Sequence, residues 1–303
     1  MEKDKEIMIN EQQPEAPIII IERDEEEVVA KTVGKKPRLS QWMWYAIMAI
    51  SLLAVFFVSF ATYKYWAHYH RLGISISVTP KENIKKLKRK AANETPEVVA
   101  SCDSILGVAL DIYAIHGVQG TIEFQEPDTA DASVYLYCRS IDFTPEGRYL
   151  SSLVANGKEH AASNYRLGYM AMANGNNVIG FSRHEDVKDY TMEVGGSYFR
   201  QFVLVSNGEL PPRFHLHGKV ERCAIGRIAD RLYYVTTRHK ETMWSFADAL
   251  REYGFIDAIY ITGGDDYSYY RDHEGVRHDI HNIADYPHKK WADIIPWLVF
   301  RKL

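Results

Sequence analysis

The sequence is poor in cysteine, and this limits the covalent chemistry available to it. Its three cysteines, Cys102, Cys138 and Cys223, are far apart and cannot all pair with one another. They form no CxxC pair of the kind that binds zinc. One disulfide is possible in an oxidising compartment. However, Cys138 and Cys223 lie in strand-like apolar patterns, so we expect three buried thiols.

The sequence also lacks a strong excess of one charge and a metal-binding pattern. The formal net charge is −4, which gives no general case for nucleic-acid binding. Histidines and aspartates alternate near the C-terminus, at Asp272, His273, His278, Asp279, His281 and His288. Their spacing fits neither a helical HxxxH motif nor a zinc ribbon. We therefore expect no metal site, no cofactor and no nucleic-acid partner.

Long hydrophobic runs are rare, and one uncharged stretch, residues 45–63, stands out. Its length matches the bilayer hydrocarbon, which takes about 20 residues of helix. Trp42 and Trp44 precede it, and Tyr65 and Trp66 follow it. Such amphipathic rings favour the headgroup level of a membrane. The sequence therefore predicts a transmembrane helix over residues 42–66, with the lipid bilayer as its partner.

Charges beside this helix predict its orientation. Cations precede it at Lys31, Lys35, Lys36 and Arg38, whereas Lys64 and Arg71 follow it. The excess favours a cytoplasmic N-terminus. A cleaved signal peptide is the alternative, but its hydrophobic segment would be shorter and would not follow a long acidic tail. Most of the chain is therefore expected outside the cytoplasm.

Residues 1–41 have the composition of a disordered cytoplasmic tail. An acidic block lies within residues 22–27, and apolar residues are few apart from the isoleucine run at residues 18–21. That run is an alternative partner-binding strand, but the composition favours an unstructured tail.

Residues 73–106 are predicted to be a helical, membrane-proximal segment. After a strand-like stretch at residues 73–78, Thr79, Pro80 and Glu82 form a helix start signal. Cations follow at Lys85, Lys86, Lys88, Arg89 and Lys90. They suit anionic lipid or a polyanionic glycan, although a solvated helix face is the commoner case. Thr95 and Pro96 repeat the start signal, and apolar spacing over residues 98–106 predicts a second helix.

Residues 107–303 are expected to form one β-rich domain. Strand patterns occupy residues 109–115, 134–138, 169–173, 178–181, 202–205, 223–228, 232–236 and 258–261. One late helix begins after Thr242 and ends at Gly254. Strands dominate, and the helices group at the start and near the end. This order predicts an α+β fold with a mixed, largely antiparallel sheet and flanking helices.

The most specific stretch runs from Arg222 to Arg277. Arg222 is followed by Ala224, Ile225 and Gly226, then by a hairpin, a helix and a strand that leads into a Gly-Gly turn. In this order the chain resembles the phosphodiester glycosidase family, which includes N-acetylglucosamine-1-phosphodiester alpha-N-acetylglucosaminidases. The resemblance covers most of the chain from residue 105 to 300. It is closest to the membrane-anchored branch of Bacteroides-type bacteria.

The resemblance implies where a substrate would bind. Arg222 would clamp a phosphate bidentately. Thr262, Gly263 and Gly264 would also bind the substrate, with the two glycines letting backbone N–H groups approach it. Two plainer interpretations stand beside this one. Arg222 on a strand is often half of an ion pair, and residues 262–266 have the composition of an ordinary turn.

The resemblance also shows departures from the family pattern. Thr262 stands where the family has an aspartate, and carboxylates follow later, at Asp265 and Asp266. These two would supply acid–base chemistry from a different position. An upstream family motif with two aromatic residues is reduced to Asn156 and Gly157.

Two functions are open at this point. The resemblance implies a membrane-anchored phosphodiester glycosidase-like hydrolase, acting on a phosphate-linked sugar of an envelope or surface polysaccharide. It would sit in the inner membrane with its C-terminal domain in the periplasm. The alternative is a non-catalytic envelope protein of the same fold that binds a glycan or a protein partner. The sequence around Arg222 favours the first, and the altered Gly-Gly turn favours the second.

Overall fold

The structure is a computed structural model that describes residues 40–70, 73, 75–91, 94–214, 216–262, 267–280 and 294–302. Apart from its last two residues, the tail predicted over residues 1–41 lies outside this range. The chain divides into two units, Met1–Thr62 and Tyr63–Leu303. Each is described by itself below.

The described part of the first unit belongs to one apolar helix. Helix α1 spans Gln41–His70, and its last residues fall in the second unit. The stretch Gln41–Tyr65 is long and apolar enough to cross a membrane, and its 18-residue apolar window is not buried by protein. A helix satisfies its own backbone hydrogen bonds, which a lipid environment requires. The predicted helix is therefore confirmed as a candidate span, whereas its orientation stays a prediction.

The described part of the second unit contains three helices and sixteen strands. In chain order these are α2 (Pro80–Leu87), β1 (Glu97–Ile105), β2 (Val108–His116), β3 (Val118–Glu123), β4 (Val134–Arg139), β5 (Leu153–Ala155), β6 (Lys158–Ala161), β7 (Gly168–Ala173), β8 (Asn176–Phe181), α3 (Asp186–Glu193), β9 (Ser197–Gln201), β10 (Val203–Ser206), β11 (Cys223–Ile228), β12 (Arg231–Thr237), α4 (Met243–Tyr253), β13 (Asp257–Ile261), β14 (Tyr269–Arg271), β15 (Arg277–Asp279) and β16 (Trp297–Lys302). The predicted α+β class is confirmed.

The strands pair antiparallel in three sheets. Sheet 1 has the order β1-β2-β12-β11-β13-β10, sheet 2 the order β15-β14-β4-β16-β3, and sheet 3 the order β6-β5-β9-β7-β8. One core contains buried side chains from all three sheets, among them Ile225, Leu298 and Phe199. Burial of such apolar area is the main source of folding free energy. All three sheets therefore contribute to one shared core.

The membrane-proximal segment differs from the prediction in two places. Residues 73 and 75–78 form no strand, although the α2 start is right: Thr79 and Glu82 form the expected capping box. The second helix is wrong, because Glu97–Ile105 is strand β1, paired with β2 along its whole length. Leu106 and Gly107 both have positive φ and form a two-residue hairpin turn. Pairing with β2 outweighs the helical spacing of the apolar residues.

The late helix predicted between Thr242 and Gly254 is confirmed as α4. Strands β11, β12 and β13 share sheet 1, and Phe246 and Leu250 of α4 are fully buried in a cluster with residues of that sheet. Thr242 caps the helix, and Gly254 ends it in a left-handed conformation. One cysteine prediction is wrong: Cys138 and Cys223 are buried, but Cys102 is exposed. It lies on edge strand β1, where most residues face solvent on both sides.

Candidate functional site

Strands β11 and β13 carry two of the predicted site residues to the same end of sheet 1. The strands are antiparallel, and their pairing closes with Cys223 opposite Ile261. Arg222 immediately precedes this pair, and Thr262 immediately follows it. The two residues therefore flank the same strand end.

Arg222 is buried, and backbone carbonyls hold its guanidinium. Its Nε donates to the Glu241 carbonyl at 3.0 Å, and its Nη2 donates to the Gly218 carbonyl at 2.9 Å. The guanidinium carbon lies 5.8 Å from the ring centroid of Tyr260. Within the described part of the chain Arg222 has no carboxylate partner. Its plane is thus fixed by the loop before β11 and the residue before the α4 cap.

Polar groups from three sheets form a second group at this end, here called the junction cluster: the Ser140 carbonyl and the side chains of Arg166, Gln201 and Thr262. Ser140 follows β4 of sheet 2, Gln201 ends β9 of sheet 3, and Thr262 follows β13 of sheet 1. The Gln201 amide Nε2 donates to the Ser140 carbonyl at 3.1 Å and lies 3.5 Å from Thr262 Oγ1. All four residues are buried. A buried polar group is costly unless it is hydrogen-bonded, so Gln201 links the three sheets at this point.

Arg166 is the cation of the junction cluster. Its Nη1 donates to Gln201 Oε1 at 2.6 Å, its Nη2 lies 3.6 Å from Asp142 Oδ2, and its guanidinium carbon is 4.5 Å from the Phe202 ring centroid. Burial lowers the pKa of Arg166, and the Asp142 carboxylate acts in the opposite direction. The distance to Asp142 is too long for a good hydrogen bond. Arg166 is therefore a buried cation with one firm side-chain partner and one loose one.

Tyr260 connects Arg166 and Arg222 electrostatically. It lies on β13, and burial raises its pKa to about 12, with the Asp142 carboxylate adding to this and Arg222 opposing it. Tyr260 also contributes to the electrostatic environment of Arg166. The hydroxyl is therefore protonated at neutral pH and can act as a hydrogen-bond donor. Two buried cations, one tyrosine and one partly exposed carboxylate thus meet at this strand end.

The predicted acid and glycine residues fall outside the described part of the chain. These are Gly263, Gly264, Asp265 and Asp266. Their proximity to Arg222 therefore stays a prediction. The described residue nearest to them before the turn is Thr262, whose side chain belongs to the junction cluster.

Sequence reasoning missed Asp142, Arg166, Gln201 and Tyr260. The one available signal lay in Arg200 and Gln201, two long polar side chains at the end of a strand whose five residues are all buried. Long polar residues are rarely fully buried without a partner. That signal could have flagged Gln201. It could not have located Arg166 or Asp142, which reach the same place from other parts of the chain.

Other sequence motifs lie elsewhere in the domain. Asn156 and Gly157 have positive φ and form the turn between β5 and β6. Asp272 and His278 pair at 2.8 Å on the β14–β15 hairpin. Among the described residues no group of three or more His, Cys, Asp or Glu side chains could hold a metal ion. His281 and His288 lie outside those residues.

This arrangement suits an anionic ligand. Guanidinium groups bind phosphate through charge-assisted hydrogen bonds, and such interactions strengthen where water is excluded. Tyr260 offers a neutral donor. Asp142, whose side chain is 32% exposed, is a carboxylate that a bound ligand could reach. The described site thus combines two buried guanidinium groups with one partly exposed carboxylate.

Comparisons with known proteins found distant structural similarity. No protein-family model and no curated protein matches the chain. The chain is similar to the zebrafish N-acetylglucosamine-1-phosphodiester alpha-N-acetylglucosaminidase catalytic domain, auto-inhibited by its pro-peptide, with a TM-score of 0.49 and 14% identity over 71% of this chain and 87% of that one. It is also similar to a hypothetical protein from Synechocystis, with a TM-score of 0.41 and 8% identity over 67% of this chain and 62% of that one.

Proposed function

We propose that this chain is a membrane-anchored phosphodiester glycosidase-like protein acting on a phosphate-linked sugar of an envelope or surface polysaccharide. One observation carries the proposal: near the end of β13 the buried Arg222 lies 5.8 Å from the Tyr260 ring centroid, and the buried Arg166 interacts electrostatically with the same tyrosine. The chain then enters residues 263–266, where Gly263 and Gly264 stand at the position of the Gly-rich motif of the phosphodiester glycosidase family. Burial of two cations at one strand end is costly. This cost favours a site in which both arginines bind the same anion.

Binding would begin with the phosphate of the diester. The Gly218 and Glu241 carbonyls fix the plane of Arg222, so the ligand would meet a charge already in place. Arg166 would exchange its loose contact with Asp142 for a phosphate oxygen. Tyr260 would donate its hydroxyl hydrogen to the same group. Gly263 and Gly264 would add backbone N–H groups, as the resemblance implies.

Hydrolysis then needs a carboxylate near the anomeric carbon. Water adds to that carbon, the bond between it and the phosphate oxygen breaks, and the products are a free sugar and a phosphomonoester. Asp265 or Asp266 is the carboxylate that the resemblance suggests, and Asp142 is the one that the described geometry adds. Release of Asp142 from Arg166 on phosphate binding would free it for proton transfer.

The test is release of reducing sugar from a hexose-1-phosphate methyl diester by the full chain in detergent. Arg166→Gln and Arg222→Gln should each lower kcat/KM by about 10²–10³. Asp142→Asn, Asp265→Asn and Asp266→Asn identify the acid–base group. Arg251→Gln, on the exposed side of α4, is the matched control and should leave turnover unchanged. Equal turnover of all variants would refute the site.

A non-catalytic protein of this fold that binds a glycan or a protein partner is the second candidate. It is favoured by Thr262, which replaces the family's opening aspartate, and by Arg222, whose Nε and Nη2 both bind backbone carbonyls. This candidate predicts binding of the sugar-1-phosphodiester without turnover. Calorimetry with the full chain separates the two candidates. The second is supported if the native chain binds the diester, Arg166→Gln abolishes this binding, and no product forms.

We also infer that residues 73–303 lie outside the cytoplasm, in the periplasm if the membrane is a bacterial inner membrane. The inference rests on the excess of cations before α1. The sequence predicts a membrane-proximal segment over residues 73–106 and the glycosidase-like domain over 107–303, but β1 pairs with β2 in sheet 1, so residues 97–105 belong to the domain. Protease added to spheroplasts should digest the C-terminal domain and spare an N-terminal tag. A protected domain would reverse the orientation.

A further inference from the structure

The proposed function leaves one feature of the sequence unused, the run of cations in and after α2. Residues 81–90, here called the basic segment, contain six cations and one carboxylate: Lys81, Lys85, Lys86, Lys88, Arg89, Lys90 and Glu82. Nine residues, 71–79, separate its helix from the end of α1. A cluster of four to eight cations beside a membrane-spanning helix suits anionic lipid.

The basic segment has a fixed backbone. Leu87 is fully buried with residues of sheet 3, and Asn83 Nδ2 donates to Tyr169 Oη at 2.9 Å and to the Ile179 carbonyl at 3.0 Å. A Cβ on Gly180 would collide with Tyr169 Oη and Asn83 Nδ2, so α2 lies directly against the sheet at this point. The orientation of α2 on the sheet is therefore fixed, and the side of the helix that carries the cations is fixed with it.

The residues after α2 are held just as firmly. Asn174 Nδ2 donates to the Leu87 carbonyl at 2.9 Å, and Asn176 Nδ2 donates to the Arg89 carbonyl at 2.7 Å. Asn174 lies in the turn that joins β7 and β8, and Asn176 is the first residue of β8. Since they satisfy the carbonyls that follow a helix end, the cations at residues 88–90 project from an ordered main chain.

Most of this charge is not neutralised by the protein. Glu82 is bonded to Thr79 in the capping box. Lys86 pairs with Asp230, but that carboxylate is 90% exposed, and such pairs contribute little. Lys88 lies 5.3 Å from the Tyr190 ring centroid. Within the described residues, Lys85, Arg89 and Lys90 are exposed and form no ion pair.

The chain before α2 is tied to the same domain, which limits how far the basic segment can be from the end of α1. Ser206 Oγ donates to the Ser75 carbonyl at 2.6 Å, and Arg227 Nη2 donates to Ser77 Oγ at 2.8 Å. Ser77 also bonds to the buried carboxylate of Asp257. The five residue steps from His70 to Ser75 can span at most about 18 Å. The tether is therefore short as well as anchored.

We propose that the basic segment binds the phosphate headgroups of anionic phospholipid in the membrane that α1 enters. A solvated face would need no fixed orientation, whereas here α2, the turn after it and the chain before it are all held in place on the domain. The attraction does not depend on which side of the membrane the domain occupies, because the headgroup phosphate is the partner in either leaflet. It is independent of the proposed hydrolase site.

The experiment uses the full chain in nanodiscs of neutral phosphatidylcholine or of phosphatidylcholine with phosphatidylglycerol. The readout is amide hydrogen exchange of peptides covering residues 79–91. Anionic lipid should slow this exchange on the order of tenfold at low salt, and high salt should remove the effect, since it screens exposed charges. The variant Lys85→Gln/Lys88→Gln/Arg89→Gln/Lys90→Gln should lose the lipid dependence while exchanging normally in neutral discs.

A matched control carries four neutralised cations elsewhere: Arg213→Gln/Lys158→Gln/Lys240→Gln/Lys302→Gln. It should keep the full lipid dependence. Identical exchange in neutral and anionic discs overturns the proposal, as does a lipid effect that persists in the first variant. Dextran sulfate added to neutral discs forms the last arm. Protection by this polyanion, without protection by anionic lipid, assigns the segment to a polyanionic glycan and also overturns the proposal.

Discussion

Two buried arginines in neighbouring parts of the domain differ in how completely they are bound. Arg200 is fully buried, and its two Nη atoms donate to the carbonyls of Arg166, Ser182 and His184 and to the Glu185 carboxylate. Arg166 is nearly as buried, but it has one short side-chain bond, to Gln201, and a carboxylate at 3.6 Å. The Nη donors are thus all bonded in Arg200, whose buried Nε alone has no hydrogen-bond partner among the described residues, and are held loosely in Arg166.

The difference separates a structural cation from one suited to a ligand. An arginine whose Nη hydrogens are all directed at protein acceptors has little capacity left for substrate, and its removal leaves several buried carbonyls unpaired. An arginine with a loose carboxylate partner can exchange that partner for a phosphate oxygen. Arg222 lies between these cases, because Nε and Nη2 bind carbonyls while the guanidinium faces Tyr260. Substitutions can break or sharpen this comparison.

The largest effect is expected at Arg200. Arg200→Met should lower the free energy of unfolding by about 3–5 kcal/mol, since it leaves three buried carbonyls without their donor. Arg166→Met should cost about 1–3 kcal/mol and abolish binding of the sugar-1-phosphodiester. Urea unfolding of the full chain in detergent, followed by tryptophan fluorescence, measures the free energy of unfolding of both variants. Calorimetry measures the binding of the sugar-1-phosphodiester. A greater loss of stability at Arg166 than at Arg200 would reverse the assignment.

The next effect is expected in the apolar layer under the strand end. Leu250 on α4 is fully buried against sheet 1. Leu250→Ala should cost roughly 2–5 kcal/mol through lost burial and the cavity that remains. Glu252→Ala, at an exposed position of the same helix, should stay within about 0.5 kcal/mol. Equal stability of the two variants in the same unfolding assay would contradict the packing of α4 described above.

The region that holds Leu250 also shows what the sequence could predict. Thr242 and Gly254 mark the two ends of α4, and the paired strands β11 and β12 are adjacent in the chain. These signals are local, so caps, turns and periodicity were enough to predict the helix and the hairpin before it. The error at residues 97–105 has a different origin. Val98, Cys102 and Ile105 have helical spacing, but β2 lies beside them and forms a hairpin with them.

The junction cluster could not be predicted in this way. Ser140, Arg166, Gln201 and Thr262 lie far apart in the sequence and meet because strands of three sheets end at one place. No local periodicity records such a meeting point. Arg222 was identified because it stands in a motif. Even there the sequence did not indicate that its donors bind the Gly218 and Glu241 carbonyls.

A smaller effect is expected at Gln201, the link between the three sheets. Gln201→Leu removes the acceptor of Arg166 and the donor of the Ser140 carbonyl, both of them buried. The cost should be about 1–3 kcal/mol, because the groups left behind are desolvated without partners. Gln125→Leu, at an exposed position, is the control and should change stability by less than about 0.5 kcal/mol. If the two variants unfold at the same urea concentration, the hydrogen bonds of Gln201 between the sheets do not contribute to stability.

The smallest effect concerns the tyrosine between the two candidate ligand arginines. Burial raises the pKa of Tyr260 to about 12 from 10.0, so the folded protein holds this proton more tightly than the unfolded chain does. The protonated Tyr260 hydroxyl therefore makes its full contribution to the free energy of unfolding below pH 10, and this contribution is lost as the pH rises through 12.

Tyr260→Phe removes that titration while keeping the ring. The difference in free energy of unfolding between the native chain and the variant should narrow by on the order of 1–2 kcal/mol from pH 9 to the alkaline limit of the assay. Other buried tyrosines titrate in the same range, and comparison of the two chains cancels their contribution. Parallel pH profiles would show that the Tyr260 hydroxyl ionises as freely in the folded state as in the unfolded chain. Tyr260 would then not be the enclosed, neutral donor that the site requires.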